Sequence, residues 1–439
     1  MVEKAKTPMS HWWGAVIVLG ALLGPSVRGQ SDYPDLASVE NNGDSFFLYR
    51  YVNGGGAMYS KNGIRGAFWG GVHLDIDNES VISWFLPNST GYLVSVDASG
   101  TMTTLFSRPR ASGCPIHHQS GNLLVPFAEN NAFGLDVRTR EGTLVRTFPT
   151  QIPFQYSTHW VEVVQDLESG DYFLFDSGDP NIRPWSLFRI TEAGAVTTMT
   201  PPNYFGERGW DQDSRTRDWY AFAWFGTPPR PPNANGRYWS RFRLSPPTQP
   251  VLVWTDPLLR DPVRVHEGRA LFGLHRTLTI PSQWSVVRYQ LPAGPATLIP
   301  AGQDPFYGVT EGPIEIIGRR PVAGRGPATP GSDYDLLVHF LREGGKAYQL
   351  AASGGVRPGI NVGARNIPLN VDGLFLQSLT IPAIFVGFSG VLDATGRATA
   401  RVRLPALAGL RGFRMFFSGV TYDAGGIRKI AEPIGMTVQ

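Results

Sequence analysis

Leu93-Val94-Ser95-Val96-Asp97-Ala98-Ser99-Gly100-Thr101-Met102-Thr103-Thr104 reads as two short strands joined by a turn that a glycine closes. The β-branched and apolar run stops at Asp97. There an aspartate that caps its own backbone and a glycine free to take positive φ reverse the chain. The phrase returns along the sequence. Phe133 to Val137 leads through Gly142 to Leu144-Val145, Leu187 to Thr191 leads through Gly194 to Val196-Thr197-Thr198, and Val286 to Tyr289 leads through Gly294 to Thr297-Leu298-Ile299. A degraded copy runs from Phe242-Arg243-Leu244 across Pro246 to Pro250 into Val251-Leu252-Val253-Trp254, and Phe47 to Tyr51 with Gly55 makes a sixth at the front.

Each copy is preceded by another hairpin. Val72-His73-Leu74-Asp75 turns at Asp77 to Ser80 into Val81 to Phe85. Ile116-His117-His118 turns at Ser120-Gly121-Asn122 into Leu123-Leu124-Val125. Trp160 to Val164 turns at Glu168-Ser169-Gly170-Asp171 into Tyr172 to Phe175, and similar turns surround Ser214 to Arg217 and Glu267-Gly268. Two hairpins make a four-stranded sheet. A sheet repeating every ~40–50 residues hides both faces only by packing on its neighbours, which is the logic of a propeller blade. The expected fold class is therefore all-β: a six-bladed β-propeller over residues 30–317, closed by Gly308 to Ile317 together with the region after Asp35. Such closure removes the sheet edges that invite aggregation.

The repeat resembles the NHL-like and TolB-like six-bladed propellers of secreted and periplasmic bacterial proteins over most of residues 31–315. That resemblance implies the fold and leaves function open, because such propellers host lyases, lactonases, redox enzymes and plain binding platforms.

The rest of the composition agrees. Gly (51) and Pro (36) are abundant, aromatics make up 12% and charged residues only 17%, which favours short strands and punctuated turns over long helices. Cys114 is the single cysteine, so no intrachain disulfide is available. Residues 1–29 read as a signal peptide: Lys4 and Lys6 supply the positive start, Trp12 to Leu23 the apolar core, and Val27 with Gly29 the small-residue cleavage pattern before Gln30. That core falls short of the about 20 apolar residues a membrane span needs. Removing Glu3, Lys4, Lys6 and Arg28 takes the formal charge from +3 to +1. Basic residues are scattered singly or in pairs such as Arg319-Arg320, so the footprint of a nucleic-acid binder is missing.

Residues 318–333, rich in Gly and Pro, are expected as a linker, and residues 334–439 as a small C-terminal β-sandwich. In the latter, Leu336 to Leu341 and Ala347 to Ala351 flank the Glu343-Gly344-Gly345-Lys346 turn, and Gly390 to Asp393 turns at Ala394-Thr395-Gly396 into Ala398 to Val402. The phrases Ile367-Pro368-Leu369-Asn370-Val371-Asp372, Gly390 to Ala400 and Glu432-Pro433-Ile434 resemble a β-domain appended to many unrelated secreted bacterial proteins. This implies a role in attachment or export.

Three constellations are candidates for chemistry. His73, His117, His159 and His266 each fall near the start of a blade's expected first strand, with Asp211 in the corresponding part of another. Imidazoles converging on the channel would hold a divalent metal or act as general base, an arrangement that resembles virginiamycin B lyase and oligogalacturonate lyase. Against convergence, His117 lies four residues before Gly121 and His159 eleven before Gly170, and a slip of odd parity sends a side chain to the other face. Satisfied or surface histidines are the plain alternative. Asp75, Asp77, Asn78 and Glu79, and separately Asp211 and Asp213, offer the oxygens calcium prefers but without a recognised calcium loop, so solvated turn carboxylates are the alternative there. Trp210, Trp219, Tyr220, Trp224, Phe225, Tyr238 and Trp239 crowd one blade that also carries the Pro-rich loop Thr227 to Gly236. They either stack on a ligand or fill the space between blades.

No Gly-x-Ser-x-Gly elbow, His-Glu-x-x-His, Walker A loop, dinucleotide fingerprint or Cys-x-x-Cys occurs. The sequons Asn78-Glu79-Ser80 and Asn88-Ser89-Thr90 match the glycosylation pattern by chance in a bacterial-type export context. The first functional expectation is a secreted or cell-envelope binding or scaffold protein for an extracellular polysaccharide, peptide or protein. The second is a metal-assisted lyase or hydrolase working through the channel histidines.

Overall fold

A computed structural model describes residues 36–41, 46–52, 55–61, 67–74, 81–86, 91–96, 101–108, 116–117, 120, 122–129, 132–153, 161–176, 186–199, 207–223, 238–244, 248, 251–256, 258–266, 270–276, 283–291, 294–303, 314–316, 318–363 and 365–439. The chain divides into two compact units between Arg319 and Arg320.

The first unit is a six-bladed β-propeller of four-stranded antiparallel sheets. Blade 2 runs Ala67–Leu74, Val81–Leu86, Gly91–Val96 and Met102–Arg108, and blade 3 runs Ile116–His117, Leu123–Glu129, Ala132–Arg138 and Leu144–Pro153. Blade 4 is Val161–Gln165, Tyr172–Asp176, Ser186–Ile190 and Val196–Met199; blade 5 is Glu207–Gln212, Trp219–Ala223, Tyr238–Phe242 and Val251–Thr255. Blade 6 is Leu259–His266, Ala270–Arg276, Gln283–Gln290 and Ala296–Gln303. Blade 1 is composite. Leu36–Asn41, Phe46–Val52 and Gly55–Lys61 come from the front of the chain, and Ile314–Ile316 comes from its far side to pair antiparallel with Leu36, Ala37 and Ser38. The ring therefore closes where the sequence places it. The first strands of blades 4, 5 and 6 and the closing strand Ile314–Ile316 lie side by side in that order.

Strand period two drives the packing, because consecutive side chains of one strand reach opposite neighbours. In blade 4, Tyr172 joins Leu135 and Phe148 of blade 3, while Phe173 joins Trp210 and Trp219 of blade 5. In blade 5, Trp219 faces back to blade 4, while Tyr220 and Phe222 pack with Leu259, Val265 and Leu271 of blade 6. All these side chains are buried.

The turn between third and fourth strands repeats atom for atom. Thr139 N–H donates to Thr143 O at 2.8 Å, Gly142 N–H to Thr139 O at 2.9 Å, and Thr143 N–H to the Thr139 hydroxyl at 3.2 Å; Thr191, Gly194 and Ala195 repeat all three bonds. Gly142 (φ +91°) and Gly194 (φ +88°) occupy the left-handed region. They differ in surroundings. A Cβ on Gly194 would meet nothing within 4 Å, whereas on Gly142 it would fall 2.5 Å from Leu105 O in the neighbouring blade. Gly194→Ala is expected to cost about 1–2 kcal/mol, the price of left-handed backbone alone. Gly142→Ala should cost clearly more, and urea unfolding of the two variants side by side checks the order.

The second unit is two antiparallel sheets around one core. Val322–Arg325, Asp333–His339, Arg397–Arg403 and Phe385–Val386 form one sheet. Ser389–Val391, Ala347–Ser353 and Arg414–Asp423 form the other, with Gly426–Ile430 and Ile434–Thr437 both pairing on Arg414–Asp423. Tyr334, Leu336, Val338, Ala400 and Val402 from the first meet Tyr348, Leu350, Ala352, Met415 and Phe417 from the second. The one α-helix among the described residues, Gly373–Thr380, starts at Asp372, whose carboxylate accepts from Phe375 N–H at 2.8 Å.

One expectation needs correction here. Within the stretch 318–333 expected as a linker, Val322–Arg325 is a strand paired with Asp335 to Val338, and Val322 and Ala323 are buried. Gly324 serves close approach and not flexibility, since a Cβ there would lie 1.7 Å from the Tyr334 hydroxyl. The turn Glu343 to Lys346 joins two strands that do not pair with each other. It carries the chain from one sheet to the other, because both flanking strands aim their apolar faces into the shared core.

Candidate functional site

The first strands of blades 2 to 6 all run toward the turn that leads into the second strand, so their C-terminal ends share one mouth of the channel. His73 pairs with Ile82, His117 with Leu123, Asp211 with Tyr220 and His266 with Ala270, each at the last or next-to-last position of its strand. Register relates them more finely. Leu123, Tyr172, Trp219 and Leu271 each begin the inner half of a second strand and pack on the preceding blade. Their first-strand partners are His117, Gln165, Gln212 and Val265. On that alignment His117 stands one residue beyond the level of Asp211, and His266 two. The side chains of His73, His117 and His266, and the whole of His159, lie outside the described residues.

Asp211 is buried and saturated. Its Oδ2 accepts from Val265 N–H in blade 6 at 2.6 Å and from Arg319 Nη1 at 2.6 Å, and its Oδ1 accepts from Arg319 Nη2 at 2.9 Å and Gln212 N–H at 3.1 Å. The two side chains are 9% and 8% exposed. Arg319 follows the closing strand Ile314–Ile316, so this pair ties blade 5, blade 6 and the end of the ring together. An expected metal-ligand or base candidate is thus half of a forked ion pair. Its partner was read from sequence only as one of a scattered basic pair.

The turns between first and second strands of blades 4 and 5 form a second network. Asp166 N–H donates to Asp171 O and Gly170 N–H to Asp166 O; Asp213, Asp218 and Arg217 repeat both bonds at 2.9 Å. The Ser169 and Thr216 hydroxyls accept from Asp171 and Asp218 N–H. Arg189 bonds Asp171 as Arg243 bonds Asp218. Arg217, at φ +64° where blade 4 has Gly170, reaches back to Glu168 at 2.9 Å and Asp166 at 3.5 Å. The Gln212 side-chain oxygen Oε1 accepts from Leu167 N–H at 3.1 Å. The aligned phrases Asp-x-x-Ser-Gly-Asp and Asp-x-x-Thr-Arg-Asp carried this signal in the sequence.

Asp211 and Asp213, expected as an acidic pair for calcium, point to different partners. Asp213 accepts from Arg215 N–H at 2.8 Å and the Thr216 hydroxyl at 3.2 Å. Among the described residues no group of three or more His, Cys, Asp or Glu side chains is placed to hold a metal ion. Burial pushes the Asp213 carboxyl above its ordinary range against those hydrogen bonds and the Arg215 charge. Between the ordinary range and the raised value the folded protein binds the extra proton. Propeller stability should therefore rise as pH falls through that window. The rise should be absent in Asp213→Asn, which pH-dependent urea denaturation checks.

The aromatic cluster is interior where it is described. Trp210, Trp219, Tyr220, Tyr238 and Trp239 are all buried, with Trp210 edge-on to Phe242 at 5.1 Å and Trp239 tilted on Trp254 at 5.4 Å. Trp224 and Phe225 lie outside the described residues.

Fold and site together define a six-bladed β-propeller closed by its own last strand and joined to a two-sheet C-terminal unit. No protein-family profile and no curated protein matches the chain. Among solved structures it is similar to TolB from Acinetobacter baumannii, at 10% identity and TM-score 0.46, covering 71% of this chain and 73% of that one. A gluconolactonase from Xanthomonas campestris is similar at 13% identity and TM-score 0.37, covering 72% and 94%. Virginiamycin B lyase from Staphylococcus aureus follows at 10% and 0.34, covering 71% and 94%.

Proposed function

We propose that the protein is a binding platform of the cell exterior or envelope, in which the propeller presents a loop-built face to an extracellular polysaccharide, peptide or protein. The observation that carries this reading is an asymmetry of connections. At one mouth the first and second strands of blades 4 and 5 are joined by compact turns of the same form, whose polar groups bond one another. At the other, the connections between second and third strands run from the two residues 130–131 to the fourteen of 224–237, and their compositions differ from blade to blade. Variable loops on a repetitive, internally tied frame are how a scaffold carries recognition. The stretch 224–237, with Trp224, Phe225 and its prolines, is the most distinctive of them. Export rests on the Lys4 to Gly29 pattern; among the described residues no helix is long and apolar enough to cross a membrane.

The test is a polysaccharide and peptidoglycan binding panel with the chain from Gln30 onward and a variant carrying a short Gly-Ser turn in place of 226–236. Binding lost in the variant at an unchanged unfolding midpoint supports the reading. Equal binding by both, or none across the panel, counts against this loop face. A metal-assisted lyase or hydrolase is a second reading, favoured by the strand ends of His73, His117 and His266 sharing one mouth. Stoichiometric divalent metal, lost in His73→Ala with His117→Ala, would turn the account toward it.

A further inference from the structure

The C-terminal unit carries an exposed apolar loop that the propeller's proposed role does not use. Between the strands Arg397–Arg403 and Arg414–Asp423 the chain reads Leu404-Pro405-Ala406-Leu407-Ala408-Gly409-Leu410-Arg411-Gly412-Phe413. Leu404 is buried and Leu410 packs on the core, while the residues between and after them stand in solvent, Leu407 at 60% and Phe413 at 42% exposure. The loop is tied in place. Gly331 N–H holds Leu404 O and Pro405 O at its base, and Leu410 and Arg411 N–H close a short 3-10 turn on Leu407 O and Ala408 O. Gly412 N–H and Phe413 O bond Val438. Leu407 and Phe413 are thus presented on fixed backbone, at no ordering cost when they meet an apolar phase.

Along this stretch of chain the charge has one sign. From Asp393 to Asp423 the chain carries Arg397, Arg401, Arg403, Arg411 and Arg414 and no carboxylate in between. Asp333 and Asp335, near the base of the loop, both bond Arg401, at 2.9 and 2.7 Å, against which Arg403, Arg411 and Arg414 stand as the remaining cations. Arg403 and Arg411 are exposed on either side of the apolar tip. Two large apolar side chains on a projecting loop are far less than the about 800 Å² per partner of a stable protein interface. They suit shallow insertion at the headgroup boundary, where apolar burial and cationic attraction to anionic lipid add.

We infer that the loop 404–414 docks the C-terminal unit onto an anionic phospholipid surface, with Leu407 and Phe413 inserted and Arg403 and Arg411 on the headgroups. This is independent of what the propeller binds. The test is sedimentation with phosphatidylcholine vesicles, with and without phosphatidylglycerol, using the chain from Gln30 onward so that the apolar leader is absent. Wild type should partition onto the anionic vesicles, less so at high salt. Leu407→Asp with Phe413→Asp should lower partitioning at least about tenfold, and Arg411→Glu should lower it about tenfold on anionic vesicles alone. Because both apolar side chains are exposed, unchanged unfolding midpoints are expected. No partitioning, equal partitioning onto neutral vesicles, or variants that bind like wild type would overturn the inference. So would concentration-dependent dimerisation abolished by the double variant, which would assign the tip to a second copy of the chain.

Discussion

Arg319→Ala is expected to destabilise the propeller by about 3–5 kcal/mol, because it strands the Asp211 carboxylate in a site with almost no water. Asp211 keeps only Val265 and Gln212 N–H as donors once the guanidinium is gone. Two amides do not replace a full opposite charge. The damage should also be local first. Arg319 sits three residues past Ile314–Ile316, the strand that completes blade 1, and the pairing of that strand with Leu36 to Ser38 is all that joins the two ends of the ring in one sheet. Hydrogen exchange at Leu36–Asn41 should therefore accelerate before the rest of the propeller opens. Arg319→Lys keeps a charge and loses the fork, so it should fall between wild type and Arg319→Ala. A urea midpoint unchanged in Arg319→Ala would mean that the pair is ornamental to closure.

The repeat itself was legible because its signal is local. Gly142, Gly194 and Gly294 lie within a few residues of the strands they connect, and a turn that needs a particular backbone conformation leaves its residue types in the sequence. Closure of the ring was legible only as two candidate segments, Gly308 to Ile317 and the region after Asp35, because a single strand, Ile314–Ile316, completes a sheet whose other three strands lie at the front of the chain. What was not legible is set by long separations or by alternation. Asp211 and Arg319 are 108 residues apart, and neither carries a mark that distinguishes it from a solvated charge. Gly324 looks like a linker glycine until the Tyr334 ring is seen beside it. Glu343 to Lys346 has a good hairpin turn, yet residues on both sides are apolar toward the same centre, and sequence alternation does not say whether two strands share a sheet or face each other across a core. For the histidines, nearness to a strand end fixes the mouth of the channel but not the register level, and His117 and His266 stand at different levels.

Arg428→Ala should have a comparable effect on the C-terminal unit, about 3 kcal/mol or more by the same reasoning of an uncompensated buried charge. Glu343 is buried with its side chain 3% exposed, and its Oε2 accepts from Arg428 Nε at 2.8 Å and the Thr421 hydroxyl at 3.0 Å, with Arg428 Nη2 on Oε1 at 3.3 Å. The guanidinium is held charged by this pairing, its pKa raised chiefly by the hydrogen bond to Glu343 and further by the Glu343 and Asp423 charges, against partial burial. Glu343 belongs to the segment that crosses between the two sheets, and Arg428 to Gly426–Ile430 at the edge of one of them. The pair therefore decides where that crossing is fixed, which apolar packing alone does not. If the loss in Arg428→Ala comes from the stranded carboxylate and not from a missing side chain, Glu343→Gln in the same background should recover most of it, since a neutral amide can keep the Thr421 hydroxyl bond without a counter-charge. Denaturation of the single and double variants separates the two causes: no recovery in the double variant would assign the loss to packing of the arginine stem, and full recovery would assign it to charge.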